Sequence, residues 1–290
     1  MEPIQIIVMI GYILLAPLLG CLLAGFDRIV SARMQRRAGP PLMQPYYDVR
    51  KLFSKERSSV NSVQDFYVLC SLIFMIITGA IFFAGGNLLL VVFALTLSVI
   101  LLVVAAFSSN SPYAQIGAER ELYLMMAYEP MILFTVIGLY IFTGSFDVFD
   151  IANGSEMPFI YLLGIFIGFT FILTIKFRKS PFDLGTSHHA HQELVKGMTT
   201  EFSGRTLALM EIMHWYENIL LLGFVMLFFL DGTMWGYVIG VIVCILIYLF
   251  EVLIDNSFAR MKWQVALKSA WLVALIFGVG NIIALYLLGV

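Results

Sequence analysis

Charged side chains are scarce in this chain. They make up 12% of its 290 residues, whereas soluble domains carry about 25%. Hydrophobic residues make up 61%, and this imbalance excludes a soluble domain. Apolar runs of about 20 residues, enough to cross a hydrocarbon core about 30 Å thick, recur along the sequence. The composition therefore predicts an all-α membrane protein with several spans.

Cysteine is also sparse, and the familiar cofactor motifs are missing. Cys21, Cys70 and Cys244 each stand alone in an apolar run. Without a C-x-x-C pair or a Cys/His spacing, we expect no disulfide, zinc site or iron–sulfur cluster here. The sequence also lacks a Walker loop, a dinucleotide fingerprint, a hydrolase triad context and a haem-ligating spacing. We therefore expect neither a catalytic residue nor a redox cofactor in this chain.

The apolar runs predict a single membrane domain over residues 1–290. The opening MEPIQIIVMIGYILL lacks the basic start of a secretory signal, so we expect it to be retained as a helix. The sequence predicts eight transmembrane helices, at 4–26, 66–84, 88–107, 121–143, 158–176, 206–230, 235–254 and 267–289.

Basic residues are missing from one set of connections. All 17 Lys and Arg residues fall on one side of the eight predicted spans. The opposite side carries only acids, namely Glu2, Asp147, Asp150, Glu156 and Asp231. By the positive-inside rule the basic side is cytoplasmic and both termini lie outside. A miscounted span would mix the two sets, so the separation supports the count of eight.

The connections on the basic side are long, at 27–65 and 177–205, which indicates function or docking. In the first, AGPP at 38–41 breaks the helix, and Pro45 favours a new one. Tyr46, Val49 and Phe53 recur at helical spacing, and the basic residues Arg50, Lys51 and Lys55 lie on the other flank. This pattern predicts an amphipathic interfacial helix. Anchoring to lipid headgroups is the alternative role for its basic residues.

The fourth predicted span carries Glu121 at its inner end and Glu129 about two turns deeper. Their spacing places both carboxylates on one broad face, and Pro130 should free a backbone carbonyl nearby. A charge at membrane depth costs several kcal/mol, so such acids tend to be functional. Proton handling is the first interpretation, and a protonated structural glutamate is the second.

The sixth predicted span places Glu211, His214 and Glu217 at i, i+3 and i+6. Two acids beside a histidine can pass protons through intervening waters, and the alternative is hydrogen bonding between packed helices. For Glu251, near the inner end of the seventh span, both interpretations are equally open.

The second long connection contains His188, His189 and His191. A His-x-His pair can contribute to a zinc or nickel site, but a closed site needs further ligands that are not nearby. We therefore expect a pH-sensitive polar patch that faces a partner subunit. Lys196, Glu201 and Arg205 extend this patch.

Three segments carry a family resemblance: ARMQRRAGP (32–40) with DVRKLFSKE (48–56), GAERELYLMMAYEP (117–130), and SPFDL…QELVKGMTTEFSG…LALMEI (180–212). Together they resemble the membrane subunit of respiratory complex I that lies beneath its hydrophilic arm, and its relatives in membrane-bound nickel–iron hydrogenases. The resemblance covers nearly the whole chain and implies a multi-pass protein of a prokaryotic cytoplasmic (inner) membrane. It also implies docking of an arm that carries the terminal iron–sulfur cluster, and coupling of redox chemistry to proton movement through buried carboxylates.

The resemblance assigns candidate residues by motif position. Glu119, Arg120, Glu121 and Glu129 match one motif, and Asp183, Glu193, Glu201, Glu211 and Glu217 match the acidic loop with its following helix. The proton-relay candidates are Glu121, Glu129, Glu201, Glu211, His214, Glu217 and Glu251. The docking candidates are Arg28, Arg33, Arg36, Arg37, Glu119, Arg120, Asp183, His188, His189, His191, Glu193 and Lys196.

One departure separates the branches of this family. Quinone-reducing members have a glutamate-rich stretch between PFDL and ELV, where this chain has GTSHHAHQ. This is similar to the energy-converting (Ech-type) hydrogenases, which pass electrons from ferredoxin to protons. The resemblance then implies as partners the large and small cluster-bearing hydrogenase subunits and an antiporter-like membrane subunit. The 4Fe–4S clusters and the NiFe centre are expected in those partners.

Other functions stay open at this point. They are a quinone-site subunit of a complex I-type NADH or F420H2 dehydrogenase, a formate hydrogenlyase membrane subunit, and a non-catalytic anchor whose acids only support packing. A stand-alone transporter is disfavoured because the sequence has no inverted repeat or paired broken helices.

Overall fold

The computed structural model describes residues 3–56, 62–185 and 196–288. Regular structure in these ranges is helical, and they contain no β-strand. The helices are α1 Pro3–Met34, α2 Gln44–Ser54, α3 Ser62–Phe83, α4 Leu88–Phe107, α5 Pro112–Thr143, α6 Val148–Ala152, α7 Pro158–Tyr161, α8 Leu163–Lys176, α9 Gly204–Leu227, α10 Met234–Ser257, α11 Trp263–Val273 and α12 Gly280–Leu288, with a π-helical turn Ala274–Val279 between the last two.

Six helices in the described ranges are long and apolar enough to cross a membrane: α1, α3, α4, α5, α10 and the continuous helix from α11 to α12. The all-helical membrane class is therefore confirmed. Two of the eight predicted spans fall outside this group. One corresponds to α8, which has 14 residues, and the other to α9, whose apolar sequence is interrupted by Glu211, His214 and Glu217.

The helices differ in extent from several of the spans predicted in their place. The helix α4 has the same ends as the predicted span. Its first turn is capped by Asn87, whose side chain accepts from the backbone N–H of Leu89. In contrast, α5 begins at Pro112, well before the predicted 121. The hydropathy pattern marks only the apolar part of this helix, and its polar first turns continue from a favourable proline start. Glu121 therefore lies inside α5 rather than at its end.

The fifth predicted span is interrupted at Leu162, between α7 and α8. The side chain of Asn281, on α12, fills the gap. Its Oδ1 accepts from the Ile165 backbone N–H, and its Nδ2 donates to the Tyr161 carbonyl, both at 3.1 Å. These two backbone groups are an i→i−4 pair that would bond directly in an unbroken helix. A side-chain amide thus replaces one helical hydrogen bond.

The helices form one bundle, with α9 packed against α1, α2, α3 and α10. We call the end formed by residues 27–56, 108–120, 177–185, 196–205 and 255–262 the basic face. The opposite end, the acidic face, comprises residues 84–87, 144–162 and 228–233. Backbone hydrogen bonds tie its connections together, for example from Leu88 to Phe146 and from Phe159 to Phe228, both at 2.8 Å.

A helix, α2, occupies the position of the predicted amphipathic interfacial helix, but its apolar side chains are divided. Val49 is buried against α1 and α9, in a small cluster with Cys21, Ala208 and Trp215. Tyr46 and Phe53, predicted to share its face, are about half exposed at 51% and 45%. The helix therefore packs on protein through Val49 and leaves an aromatic surface uncovered at the basic face.

Candidate functional site

Two cations at the end of α8 enter the bundle rather than reaching water. Lys176 is the last residue of α8 and Arg178 follows in a left-handed backbone conformation, with φ of 54°. Their side chains are only 3% and 13% exposed. Burial of an ammonium or guanidinium is tolerated only where counter-charges and hydrogen bonds are supplied. Acids on neighbouring helices supply them here.

Lys176 contacts two different helices. Its Nζ lies 2.7 Å from Glu217 Oε1 on α9 and 3.4 Å from the Tyr128 hydroxyl on α5. The same ammonium lies over the Tyr128 ring, 4.4 Å from its centroid, a cation–π arrangement. The last turn of α8 is thus held between α5 and α9.

Arg178 extends the network toward the basic face. Its Nη2 lies 3.3 Å from Glu121 Oε1, and its Nη1 lies 2.8 Å from His214 Nε2. His214 Nδ1 in turn lies 3.3 Å from Glu217 Oε2. The described contacts therefore run without a gap through Glu121, Arg178, His214, Glu217, Lys176 and Tyr128, which we call the His214 network.

The contacts of His214 define its tautomer. A guanidinium has only donors, so Nε2 must accept from Arg178. The proton of a neutral imidazole then resides on Nδ1, which donates to Glu217. A second proton on the ring would turn the Arg178 contact into a repulsion between two cations. Protonation of His214 and the position of Arg178 are therefore coupled.

Helical geometry explains which acids join the network. Residues seven apart on a helix lie almost in line, and residues eight apart are rotated by most of a quarter turn. Tyr128 therefore accompanies Glu121 toward α8 and α9, whereas Glu129 turns aside. On α9, His214 meets Glu217 at i+3, and the charge of Glu211, three residues before His214, also reaches the ring.

A glycine allows the loop after α8 to lie against Glu121. A Cβ on Gly185 would come within 2.3 Å of Glu121 Oε2. A similar approach occurs at Gly117, where a Cβ would lie 2.2 Å from the Met198 backbone nitrogen. Met198 N–H also donates to the Gly185 carbonyl at 3.0 Å. The backbone on both sides of residues 186–195 is thus fixed above Glu121.

No described hydrogen bond or ion pair joins the remaining relay candidates to this network, although the charge of Glu211 reaches His214. Glu129 and Glu211 are half-buried, and Glu201 is exposed at the basic face. Glu251 is completely buried in α10, and neither of its oxygens has a hydrogen-bond partner in the described part of the chain. Of the seven relay candidates, the structure brings together Glu121, His214 and Glu217.

Most docking candidates in the described ranges lie on the surface. The exposed ones are Arg28, Arg33, Arg36, Arg37, Glu119 and Lys196, and Arg120 is half-buried. Asp183 instead is buried and pairs with Arg260. The four candidates His188, His189, His191 and Glu193 lie outside the described residues.

One ion pair connects α1 to α2 at the basic face. Arg28 Nη1 lies 2.6 Å from Asp48 Oδ2, and Gln44 donates to Asp48 Oδ1. Burial raises the pKa of the Asp48 carboxyl, but the hydrogen bonds from Arg28 and Gln44 outweigh it and hold this pKa below its usual range. Because both side chains of the pair are more than 40% exposed, it contributes little to stability.

Sequence reasoning missed Lys176, Arg178 and Tyr128. A cluster of basic residues at the end of a span is typical of side chains that reach the lipid–water interface. The acids on the neighbouring spans could have indicated that some basic residues are buried, since buried acids require counter-charges. Among the described residues, no group of three or more His, Cys, Asp or Glu side chains is placed to hold a metal ion.

Comparisons with known proteins agree on one family. The family model described as NADH dehydrogenase matches residues 4–286. Hydrogenase-4 component C of Escherichia coli is 28% identical, and the match covers 87% of each chain. An NADH-quinone oxidoreductase subunit of Paramagnetospirillum magneticum is 30% identical, over 87% of this chain and 82% of that protein.

A solved structure is similar over almost its full length. It belongs to the membrane-bound sulfane sulfur reductase, an archaeal respiratory membrane complex, with a TM-score of 0.83 and 25% identity. The match covers 96% of this chain and 99% of that one. The proteins similar to this chain are thus subunits of membrane oxidoreductase complexes, in both the complex I-type and the hydrogenase groups.

Proposed function

We propose, from the premise that this chain belongs to the NADH dehydrogenase family, that it is the membrane-anchoring and ion-coupling subunit of a ferredoxin-linked, energy-converting nickel–iron hydrogenase. The observation that carries the proposal is the His214 network, which runs from the loop after α8 into the bundle. Such a network is expensive to bury, and a purely anchoring subunit has no use for it. Similarity to hydrogenase-4 component C supports the hydrogenase branch.

The tautomer of His214 provides the coupling. A docked partner that gains or loses an electron changes the electrostatic potential at the basic face. A more negative potential attracts Arg178 outward, toward Glu121 and the loop. His214 Nε2 is then free to take up a proton, and Nδ1 can pass its own proton to Glu217. Charge movement at the surface thus becomes a proton shift within the bundle.

Lys176 ensures that the proton does not remain on Glu217. When Glu217 becomes protonated, the ammonium loses its counter-charge and an uncompensated cation remains in the bundle. Restoring the pair requires the proton to leave Glu217. The network therefore returns to the state that the structure shows after each transfer.

For the membrane arrangement we propose eight spans, with α8 and α9 as the two polar or short ones. Both lie inside the bundle, where neighbouring helices rather than lipid surround their polar groups. An even number of spans places the termini together on the acidic face, outside the cell, with the basic face in the cytoplasm.

The partners proposed are the large and small cluster-bearing hydrogenase subunits at the basic face and an antiporter-like subunit within the membrane. The 4Fe–4S clusters and the NiFe centre belong to those partners, and ferredoxin acts on them. The described features that suit such docking are the aromatic surface of α2 and the exposed Arg33, Arg36 and Arg37.

The complex purified through a tag on this chain tests the proposal. We expect it to contain nickel, to evolve hydrogen from reduced ferredoxin, and to acidify or charge sealed vesicles as it does so. Absence of nickel together with quinone-dependent turnover would refute the hydrogenase assignment.

The second candidate is a quinone-site subunit of a complex I-type dehydrogenase. The 30% identity to the NADH-quinone oxidoreductase protein of Paramagnetospirillum magneticum favours it. Quinone-site inhibitors separate the two candidates, since they should leave ferredoxin-driven hydrogen evolution unchanged and stop a quinone reductase.

A further inference from the structure

A second polar cluster lies between α1, α10 and the segment that follows α8. Lys179 Nζ pairs with Asp27 on α1 and lies 3.6 Å from Asp255 Oδ2 on α10. The Ser180 backbone N–H donates to Asp255 Oδ1 at 2.8 Å. The two aspartates are 23% and 33% exposed, but Lys179 is only 8% exposed. The cluster is therefore open at the basic face and closed beneath it.

Glu251 lies beneath this cluster. It is one helical turn from Asp255 on the same face of α10. Its side chain has no exposed surface, and neither carboxyl oxygen has a hydrogen-bond partner among the described residues. The Thr174 hydroxyl approaches its carboxyl in a contact looser than a full hydrogen bond, and the charges of Lys179 and Asp255 also reach it. Glu251 is therefore the buried acid at the closed end of the cluster.

The other polar groups around the cluster are already engaged. Tyr248 donates to the Leu23 carbonyl at 3.2 Å, and Asn256 donates to Ser31 Oγ at 2.9 Å. Ser31 Oγ in turn donates to Asp27 Oδ1 at 3.4 Å. These bonds fix α1 against α10, and none of them reaches Glu251.

The charges around Glu251 determine whether its carboxyl group is protonated. With every group ionised, Asp27, Glu251 and Asp255 would place three negative charges beside the single ammonium of Lys179. An isolated buried carboxylate is costly enough that such groups become neutral instead. With Glu251 protonated, the two aspartates share Lys179 and the buried position carries no charge.

We propose that Glu251 is a proton-holding site, separate from the His214 network, that exchanges with water at the basic face through Asp255 and Asp27 under the control of Lys179. In the exchange step the O–H bond of Glu251 breaks and its proton passes to the Asp255 carboxylate, directly or through water. Lys179 keeps its pair with Asp27, and once Asp255 is neutral its ammonium is shared between Asp27 and the newly ionised Glu251. Lys179 thus compensates the charge of Glu251 until the proton returns.

Infrared difference spectroscopy of the purified complex tests the protonation. We expect the carbonyl-stretch band of one protonated carboxylic acid to vanish in Glu251→Gln and to shift in Glu251→Asp. The matched control Asp48→Asn changes an ion-paired acid of the basic face and should leave the band in place. A wild-type spectrum from which Glu251→Gln removes no such band would refute the proposal.

Transfer into heavy water tests the exchange route. Asp255→Asn keeps the oxygen that accepts from Ser180 but cannot carry the proton, so the deuterium shift of the Glu251 band should slow by about a hundredfold, the lower range for a positioned proton-transfer group. An unchanged rate would refute the route through Asp255.

The use of this proton in ion coupling, but not its presence, rests on the proposed function. If the band and its exchange behave as expected while Glu251→Gln complexes form full ion gradients, the proton site stands and its part in coupling is refuted.

Discussion

Lys176 and Glu217, 41 positions apart in sequence, form an ion pair of 2.7 Å with each side chain only 3% exposed. The pair joins the end of α8 to the middle of α9, and its ammonium also contacts Tyr128 on α5. Three helices therefore depend on one buried pair. The stability of the bundle and the proposed proton transfer rely on the same two side chains.

A double-mutant cycle at this pair should show strong coupling. Lys176→Met or Glu217→Gln alone leaves one buried charge uncompensated and should destabilise the chain by about 3–5 kcal/mol. Combining Lys176→Met with Glu217→Gln removes both charges and should recover most of that loss. Thermal unfolding of the purified complex measures both effects. Additive losses would show that the two residues act independently.

Gly185→Ala should disturb Glu121 without changing any charge. The new methyl group would lie 2.3 Å from Glu121 Oε2, so the carboxylate must move and its contact with Arg178 must weaken. We expect a lower ion gradient per electron transferred in vesicles, as for Glu121→Gln.

The matched control is Gly11→Ala, because a Cβ at this helical position meets nothing within 4 Å. It should leave the gradient unchanged. A gradient of wild-type size in Gly185→Ala would show that the position of Glu121 does not matter for coupling.

Glu129→Gln should reduce ion transport while the complex assembles normally. Glu129 is half-buried in α5 and has no described partner that the substitution would leave unpaired, so the cost in stability should be small. If the acid carries protons, the amide cannot replace it, and the vesicle gradient per electron should fall. Glu156→Gln, an exposed acid on the acidic face, is the control. Equal gradients in both variants would remove Glu129 from the path.

Asn281→Leu should loosen the junction of α7 and α8. The Ile165 N–H and the Tyr161 carbonyl would each lose a partner, at a cost of about 1–3 kcal/mol per buried group. Asn281→Gln keeps both an acceptor for Ile165 and a donor for Tyr161 and should cost less. Hydrogen exchange at Ile165 measures the difference. Full protection in Asn281→Leu would mean that the helix closes the gap itself.

The sequence predicted those helices whose ends coincide with a change in hydropathy. Residues 88–107 match α4 because Asn87 caps an apolar run that ends at a turn. Hydropathy could not show that α5 begins at Pro112, because its first turns are as polar as a loop. It could not show the interruption at Leu162 either, since the side chain that stabilises it comes from Asn281.

The acids of the site were visible in the sequence, but their partners were not. Periodicity relates residues within one helix, so it could group His214 with Glu217 and suggest Glu121. The partners Lys176 and Arg178 come from another helix and its following turn, and no local pattern connects them to α5 or α9. Tertiary packing alone determines these pairs.

Lys176, Arg178 and Lys179 lie within four consecutive positions, yet their acids lie on α9, on α5, and on α1 together with α10. The spacing of these three cations therefore fixes how the end of α8 aligns with the other helices of the bundle. Adding or removing one residue in this stretch would misalign all three cations at once. We therefore expect homologous chains that keep the three pairs to vary in the residues around them but not in the length of the stretch.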